Sequence, residues 1–224
     1  MVMFDSKTGY LKCLLHDEGH LTNVRTAIAG AICAKYLAPD NINCIGIIGT
    51  GIQARLQLKY LKDIIKCREV VILGRDHKKI NDYIKEMSKE GFNICKVNKS
   101  SELCNKSNLI VTTTSANQSL ISKSDVMPGT HITAVGSDTP EKRELDPAIL
   151  GISHCIVVDS ISQCKERGET KYALDDKIIK ENDLIELGTV IESGRKARIE
   201  QDEITVADLT GVAVQDIMIT NAVY

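Results

Sequence analysis

The chain has 224 residues, 43% of them hydrophobic and 26% charged, with a formal net charge of -2. That length buries a substantial core, roughly 70% of the surface its unfolded chain exposes. The interleaved charges offer neither the basic patch nucleic acid requires nor a stripe for a membrane surface, so neither partner is expected. No apolar run approaches the roughly 20 residues of a bilayer span, and Met1-Val-Met-Phe-Asp-Ser-Lys7 lacks the order of a signal peptide. Eight cysteines without CxxC spacing predict a reducing, cytoplasmic setting, with Cys33, Cys44 and Cys155 acting as small hydrophobes.

Residues 1–15 read as two short strands around the turn signal Asp5-Ser-Lys-Thr-Gly9. A lone hairpin is marginal in water, so this segment is expected to join further structure preceding Met1. Its exposed edge invites association, which predicts a homodimer or larger assembly. Leu21 to Leu37 has helical spacing with Thr22 as N-cap, and Pro39-Asp-Asn41 stops it.

From Cys44 onward strands and helices alternate. Cys44–Ile48 reads as a buried strand, Gln53–Ile65 as a helix, Val70–Leu73 as a strand and His77–Lys89 as a helix. Asn93–Val97, Leu109–Thr113, His131–Val135 and Cys155–Val158 continue the strands, with a helical turn at Ser101–Cys104. The tail combines a strand-like Ile204–Val206 with a helical Val212–Ala222. This alternation predicts an α/β fold, a Rossmann-like doubly wound parallel sheet with helices on both faces.

The motif with most chemical content is Gly49-Thr50-Gly51-Ile52-Gln53-Ala54, a GxGxxA loop between a predicted strand and helix. Gly49 permits the tight turn, Gly51 lets backbone approach a pyrophosphate, and Ala54 allows close helix–strand packing. The phosphate then meets the free N–H groups of the helix N-terminus. The cofactor is therefore expected to be NAD or NADP. At the end of the second strand, Gly74-Arg75-Asp76 leans towards NADP through Arg75, while Asp76 serves either a ribose hydroxyl or a helix N-cap.

Asp138 follows a predicted strand in Val135-Gly136-Ser137-Asp138, at the end of the sheet where ligands of such folds collect. A carboxylate there suits proton transfer; its competing role is to cap a short helix begun by Pro140. Arg25 carries a planar fork fit for a carboxylate, or for a surface ion pair. His16 and His20 have i,i+4 spacing, but Gly19 between them points to a loop, and no metal site is expected. His131 reads as a core or sheet-edge residue.

Together these residues resemble the ornithine cyclodeaminase/mu-crystallin family. The similarity runs through Leu21-Thr-Asn-Val-Arg-Thr-Ala27, the glycine loop, Val111-Thr-Thr-Thr-Ser115, Ala134 to Leu145, Val157-Val-Asp-Ser160 and Gly211-Val-Ala-Val-Gln-Asp216. The resemblance implies a Rossmann domain over 39–204. Residues 1–38 and 205–224 would belong to a second, substrate-binding and dimerising domain whose N-terminal portion is absent here. It also implies hydride transfer at the α-carbon of a small amino or imino acid, with loss of ammonia in a cyclodeaminase. Alternatives are a ketimine reductase, an alanine-dehydrogenase-like enzyme, or a non-catalytic NADP-binding protein of the mu-crystallin kind. By the same resemblance Asp138 is the acid/base residue and Arg25 holds substrate. The implied cofactor contacts are Gly49, Thr50, Gly51, Ile52, Gln53, Arg75, Thr114, Ser115, Val135, Gly136, Ser137 and Lys142. The sequence departs from the family pattern at Leu209, where many members carry serine, and at Gly74, where the NAD-dependent cyclodeaminases carry an acid.

Overall fold

The computed structural model describes residues 1–194 and 196–224. β1 (Val2–Phe4) and β2 (Leu11–Leu14) form the expected antiparallel hairpin. Then follow α1 (His20–Leu37), β3 (Ile45–Ile48), α2 (Ile52–Leu61), β4 (Glu69–Leu73), α3 (His77–Lys89), β5 (Asn93–Lys96) and α4 (Ser100–Lys106). The chain continues through β6 (Leu109–Thr112), β7 (Asn117–Ile121), β8 (His131–Ala134), β9 (Arg143–Leu145) and β10 (Cys155–Val158). It ends with α5 (Ile161–Cys164), α6 (Glu169–Asp175), β11 (Leu184–Glu186), α7 (Leu187–Ser193), β12 (Thr205–Asp208) and α8 (Ala213–Val223).

Eight strands form one sheet in the order β11-β10-β12-β8-β6-β3-β4-β5, and each neighbouring pair is parallel. β3, β6, β8, β10 and β12 are buried along their whole length, which is why β3, β6 and β10 read as nearly continuous apolar runs rather than alternating ones. Successive residues still point to opposite faces. Ile47 and Val111 pack with Leu58, Tyr83 and Met87 of α2 and α3, whereas Ile48 and Ile110 pack with Leu103 of α4. From β3 the chain moves outward through β4 and β5, then crosses back to place β6 on the other side of β3. That reversal opens a crevice at the carboxyl ends of β3 and β6, the position where such sheets take ligands.

Several boundaries differ from the sequence reading. Thr22 lies inside α1 and is not its N-cap; Gly19 precedes the helix and the Asp17 carboxylate accepts the Leu21 N–H at 2.7 Å. α2 ends at Leu61 rather than Ile65. β7 and β9 pair parallel in a small sheet of their own, hidden in sequence by the polar Asn117-Gln-Ser119. β12 is hydrogen-bonded between β10 and β8, so residues 205–208 lie within the main sheet. α1 also belongs against that sheet: it packs on α2, β8 and β12 through a face that buries Ala27, Ala31, Cys33, Ala34 and Leu37. No helix among the described residues is long and apolar enough to cross a membrane.

Candidate active site

The glycine loop occupies the crevice. Gly49 has φ +117°, its N–H donates to the Leu73 carbonyl at 2.9 Å, and a Cβ at this position would run into the Thr113 hydroxyl. Only glycine serves there. Gly51 is extended, and a Cβ on it would meet nothing within 4 Å, so open space lies before the loop. α2 begins at Ile52 with no side-chain cap, which leaves its first-turn N–H groups for an incoming anion. The loop is held from behind. Arg55 Nη1 donates to the Thr50 and Gly51 carbonyls while its Nε donates to Glu86 at 2.7 Å. Ala54 is fully buried, and its carbonyl accepts the Tyr83 hydroxyl at 3.1 Å. A pyrophosphate-bearing dinucleotide fits this cradle.

Beyond β4, Asp76 is the N-cap of α3: its carboxylate accepts the N–H groups of Lys78 at 2.8 Å and Lys79 at 3.2 Å. Those bonds, that from Lys79 first, hold its carboxyl below the usual range. The cap is worth about 1 kcal/mol to the helix. Arg75 is exposed and has no hydrogen-bond or ion-pair partner among the described residues. The acid here is thus committed to its helix and the arginine is not.

Arg25, Gln53, Val135, Asp138, Leu209 and Gly211 line one cleft of about 200 Å³. It brings together α1, the start of α2 and the carboxyl ends of β8 and β12, which lie far apart in sequence. Arg25 is partly buried; its Nε donates to Asp216 and its Nη1 to Gln215, each at 3.1 Å. Gln53 Nε2 donates to the Asn23 carbonyl and side chain at 3.1 Å, and its Oε1 is buried without a partner among the described residues. Asp138 is exposed and accepts from Lys142 Nζ at 2.5 Å. It caps no helix: Pro140 lies in a turn that leads into β9.

The loop after β8 contributes Val135 and Asp138 to the wall, and the end of β6 lies against the glycine loop, with Thr113 beside Gly49. Thr114 is half-buried, its hydroxyl accepting the Ala116 N–H at 3.2 Å, and Ser115 is exposed. Val135 extends β8 by donating to the Thr112 carbonyl at 3.0 Å. Ser137, expected from the resemblance to contact the cofactor, turns its hydroxyl away from the loop surface. Its side chain is buried, and its hydroxyl donates inward to Glu169. Three buried carboxylates that the sequence reading did not single out as site residues lie beneath these loops: Glu144, Glu169 and Asp208. Burial, reinforced by Asp208, pushes Glu169 up to about 8, and burial pushes Asp208 up to about 6. Burial also raises Glu144. Glu144 stands within the Ala134–Leu145 similarity, but nothing local marks an acid as buried; the signal is tertiary.

The model of the ornithine cyclodeaminase/mu-crystallin family matches residues 1–224. The chain belongs to this family. An uncharacterized cyclodeaminase of Sinorhizobium fredii is 37% identical over 226 residues, which cover 100% of this chain and 68% of that protein. Among solved structures, an archaeal alanine dehydrogenase dimer with bound NAD superposes with a TM-score of 0.89 at 32% identity. That match covers 100% of this chain and 69% of the other. The Thermococcus litoralis Δ1-pyrroline-2-carboxylate reductase, in complex with NADH and L-proline, gives a TM-score of 0.91 at 28% identity, covering 98% and 68%. Both structural matches thus extend over nearly the whole of this fold.

Proposed function

We propose that this chain is a nicotinamide-dependent enzyme that transfers hydride at the nitrogen-bearing α-carbon of a small amino or imino acid. The observation that carries the reading is the convergence of Arg25 and Asp138 on one cleft with Gln53 of the glycine loop. A bound nicotinamide dinucleotide supplies or accepts the hydride. The first-turn N–H groups of α2 hold its pyrophosphate. Arg25, steadied by Asp216 and Gln215, offers its fork to the substrate carboxylate. Asp138 takes the proton from the substrate nitrogen as the amine becomes an imine, and returns it in the reverse direction. Lys142 keeps Asp138 oriented, and the apolar Leu209 excludes water from that side of the cleft.

Arg75, unpaired beside a committed Asp76, supports NADP over NAD. The relatives' activities on alanine and on a cyclic imino acid support a small substrate of that class. The β1–β2 hairpin and α8 expose Val2, Phe4, Leu11, Leu14, Ile217 and Met218, which supports association into a dimer as in the alanine dehydrogenase. These elements serve as the assembly and substrate part, set against the Rossmann sheet. The eight cysteines without CxxC spacing support a cytoplasmic setting.

The test is fluorescence titration with NADPH and NADH, followed by turnover assays with ornithine, lysine, alanine and cyclic imines. Ammonia release from ornithine without net cofactor change identifies a cyclodeaminase, and steady cofactor consumption a reductase or dehydrogenase. Asp138→Asn is expected to lower turnover at least a hundredfold while cofactor affinity stays within a factor of about three. Undiminished turnover in that variant would remove Asp138 from the mechanism.

A further inference from the structure

Glu144 is fully buried, and each of its oxygens takes one backbone donor. Oε1 accepts the Thr114 N–H at 2.6 Å and Oε2 the Gly136 N–H at 3.0 Å. Those amides belong to the loops that leave β6 and β8, two adjacent strands: the β8 loop lines the cleft and the β6 end abuts the glycine loop at Gly49. The regular ladder between them ends with Val135 donating to Thr112; beyond it the Glu144 carboxylate is the clip. A Cβ at Gly136 would collide with both the Thr114 carbonyl and Glu144 Oε2, so the close approach depends on glycine.

Glu169, at the start of α6, supports the clip from below. Its Oε1 accepts the Glu144 N–H at 2.8 Å and the Ser137 hydroxyl, and its Oε2 accepts the Leu145 N–H at 2.9 Å. Neither acid has a lysine or arginine partner among the described residues. Burying two carboxyl groups without a cation is costly. Both spend their acceptors on the cleft-facing loops and on the strand that carries Glu144.

We propose that Glu144 and Glu169 are positioning residues: acting through Thr114, Gly136 and Ser137, they hold the two loops that the cofactor meets and so place Asp138. The proposal rests on the nicotinamide-cofactor reading above. Glu169 is faced by Asp208 from β12 and by Glu144 from β9, and it is neutral below about pH 8. Its ionisation above that pH strengthens the Ser137 hydrogen bond but adds a further negative charge beside Asp208 and Glu144, and that repulsion shifts the loops the two acids support.

The experiment is a fluorescence titration of the full chain with NADH from pH 6.5 to 9.5, with thermal unfolding followed at each pH. NADH carries no 2′-phosphate to titrate in this range. Wild-type affinity is expected to weaken about tenfold between pH 7 and 9.5 while the chain stays folded. Glu169→Gln keeps a neutral acceptor and should hold its pH 7 affinity across the range. Ser137→Ala and Glu144→Gln should bind about tenfold more weakly at every pH. A Glu169→Gln profile that parallels wild type, with Ser137→Ala binding normally, overturns the proposal. If Glu169→Gln does not fold, Ser137→Ala decides by itself, since it removes only the hydroxyl from the network. Absence of both NADH and NADPH binding by wild type at every pH overturns the cofactor reading and the proposal together, an outcome distinct from a defect or its absence in the variants.

Discussion

Arg25 and Asp216, 191 positions apart in sequence, meet at 3.1 Å between α1 and α8. The contact ties the helix that borders the cleft to the last helix of the chain. Asp216 retains 36% side-chain exposure, so the pair contributes no more than about 1 kcal/mol to stability. Its consequence is orientation. Arg25→Lys loses the planar fork and should raise KM for a carboxylate substrate about tenfold or more, with the melting temperature nearly unchanged. Asp216→Asn, which leaves the fork intact, should raise KM only a few-fold. Steady-state kinetics beside thermal unfolding separates the two; equal effects would place the role in α8 and not in the fork.

Arg75 is predicted to set cofactor preference. It stands exposed and unpaired beside an Asp76 whose oxygen already accepts two helix N–H groups. Arg75→Ala removes a charge-assisted contact to a 2′-phosphate, worth about 1.5–3 kcal/mol. NADPH affinity should therefore fall roughly 10- to 100-fold while NADH affinity hardly changes. Parallel titrations with both cofactors check this, and an equal loss for both would mean that Arg75 does not distinguish them.

His131 gives a stability prediction with a defined sign. It is fully buried in β8 between the hydroxyls of Thr205 at 2.9 Å and Thr133 at 3.0 Å. Burial, reinforced by the nearby Arg198, lowers its pKa from 6.5 to about 3. Below pH 6.5 the unfolded chain therefore binds a proton that the folded chain refuses. Stability falls as pH drops from about 6.5 towards 3, by up to about 1.4 kcal/mol per pH unit. Glu169 and Asp208, whose values are raised, act in the opposite sense and favour the fold as pH falls. The measurement is thus a comparison: denaturant unfolding of wild type and His131→Asn between pH 4 and 7. The variant should show the shallower decline on the acid side; identical slopes would exclude His131 as the cause.

The sequence by itself determined the features that rest on local chemistry. Continuous aliphatic runs separated by helical spacing specified a parallel sheet, because strands covered on both faces have no polar side to show. The glycine loop was legible because its turn, its open face and its buried alanine each need a small residue at one position. α3 was read to its ends, since Asp76 announces its start and its apolar residues recur with helical period. His131 was read as a core or sheet-edge residue from the strand around it, and the structure buries it.

Other features were decided only in three dimensions. That Arg25 faces the cleft of Asp138 depends on where α1 settles over β8 and β12. β12 lies between β8 and β10 because its strand-forming residues are buried by pairing on both edges, a partnership no local pattern encodes. Ser137 turns inward because Glu169 waits there, and Glu169 waits there because α6 begins beneath the sheet's edge. Loss of water around three carboxylates, and the backbone donors that replace it, follow from packing elements drawn from distant parts of the chain. A residue type specifies which bonds it can make; only the tertiary structure decides which partners arrive and whether water is left to compete with them.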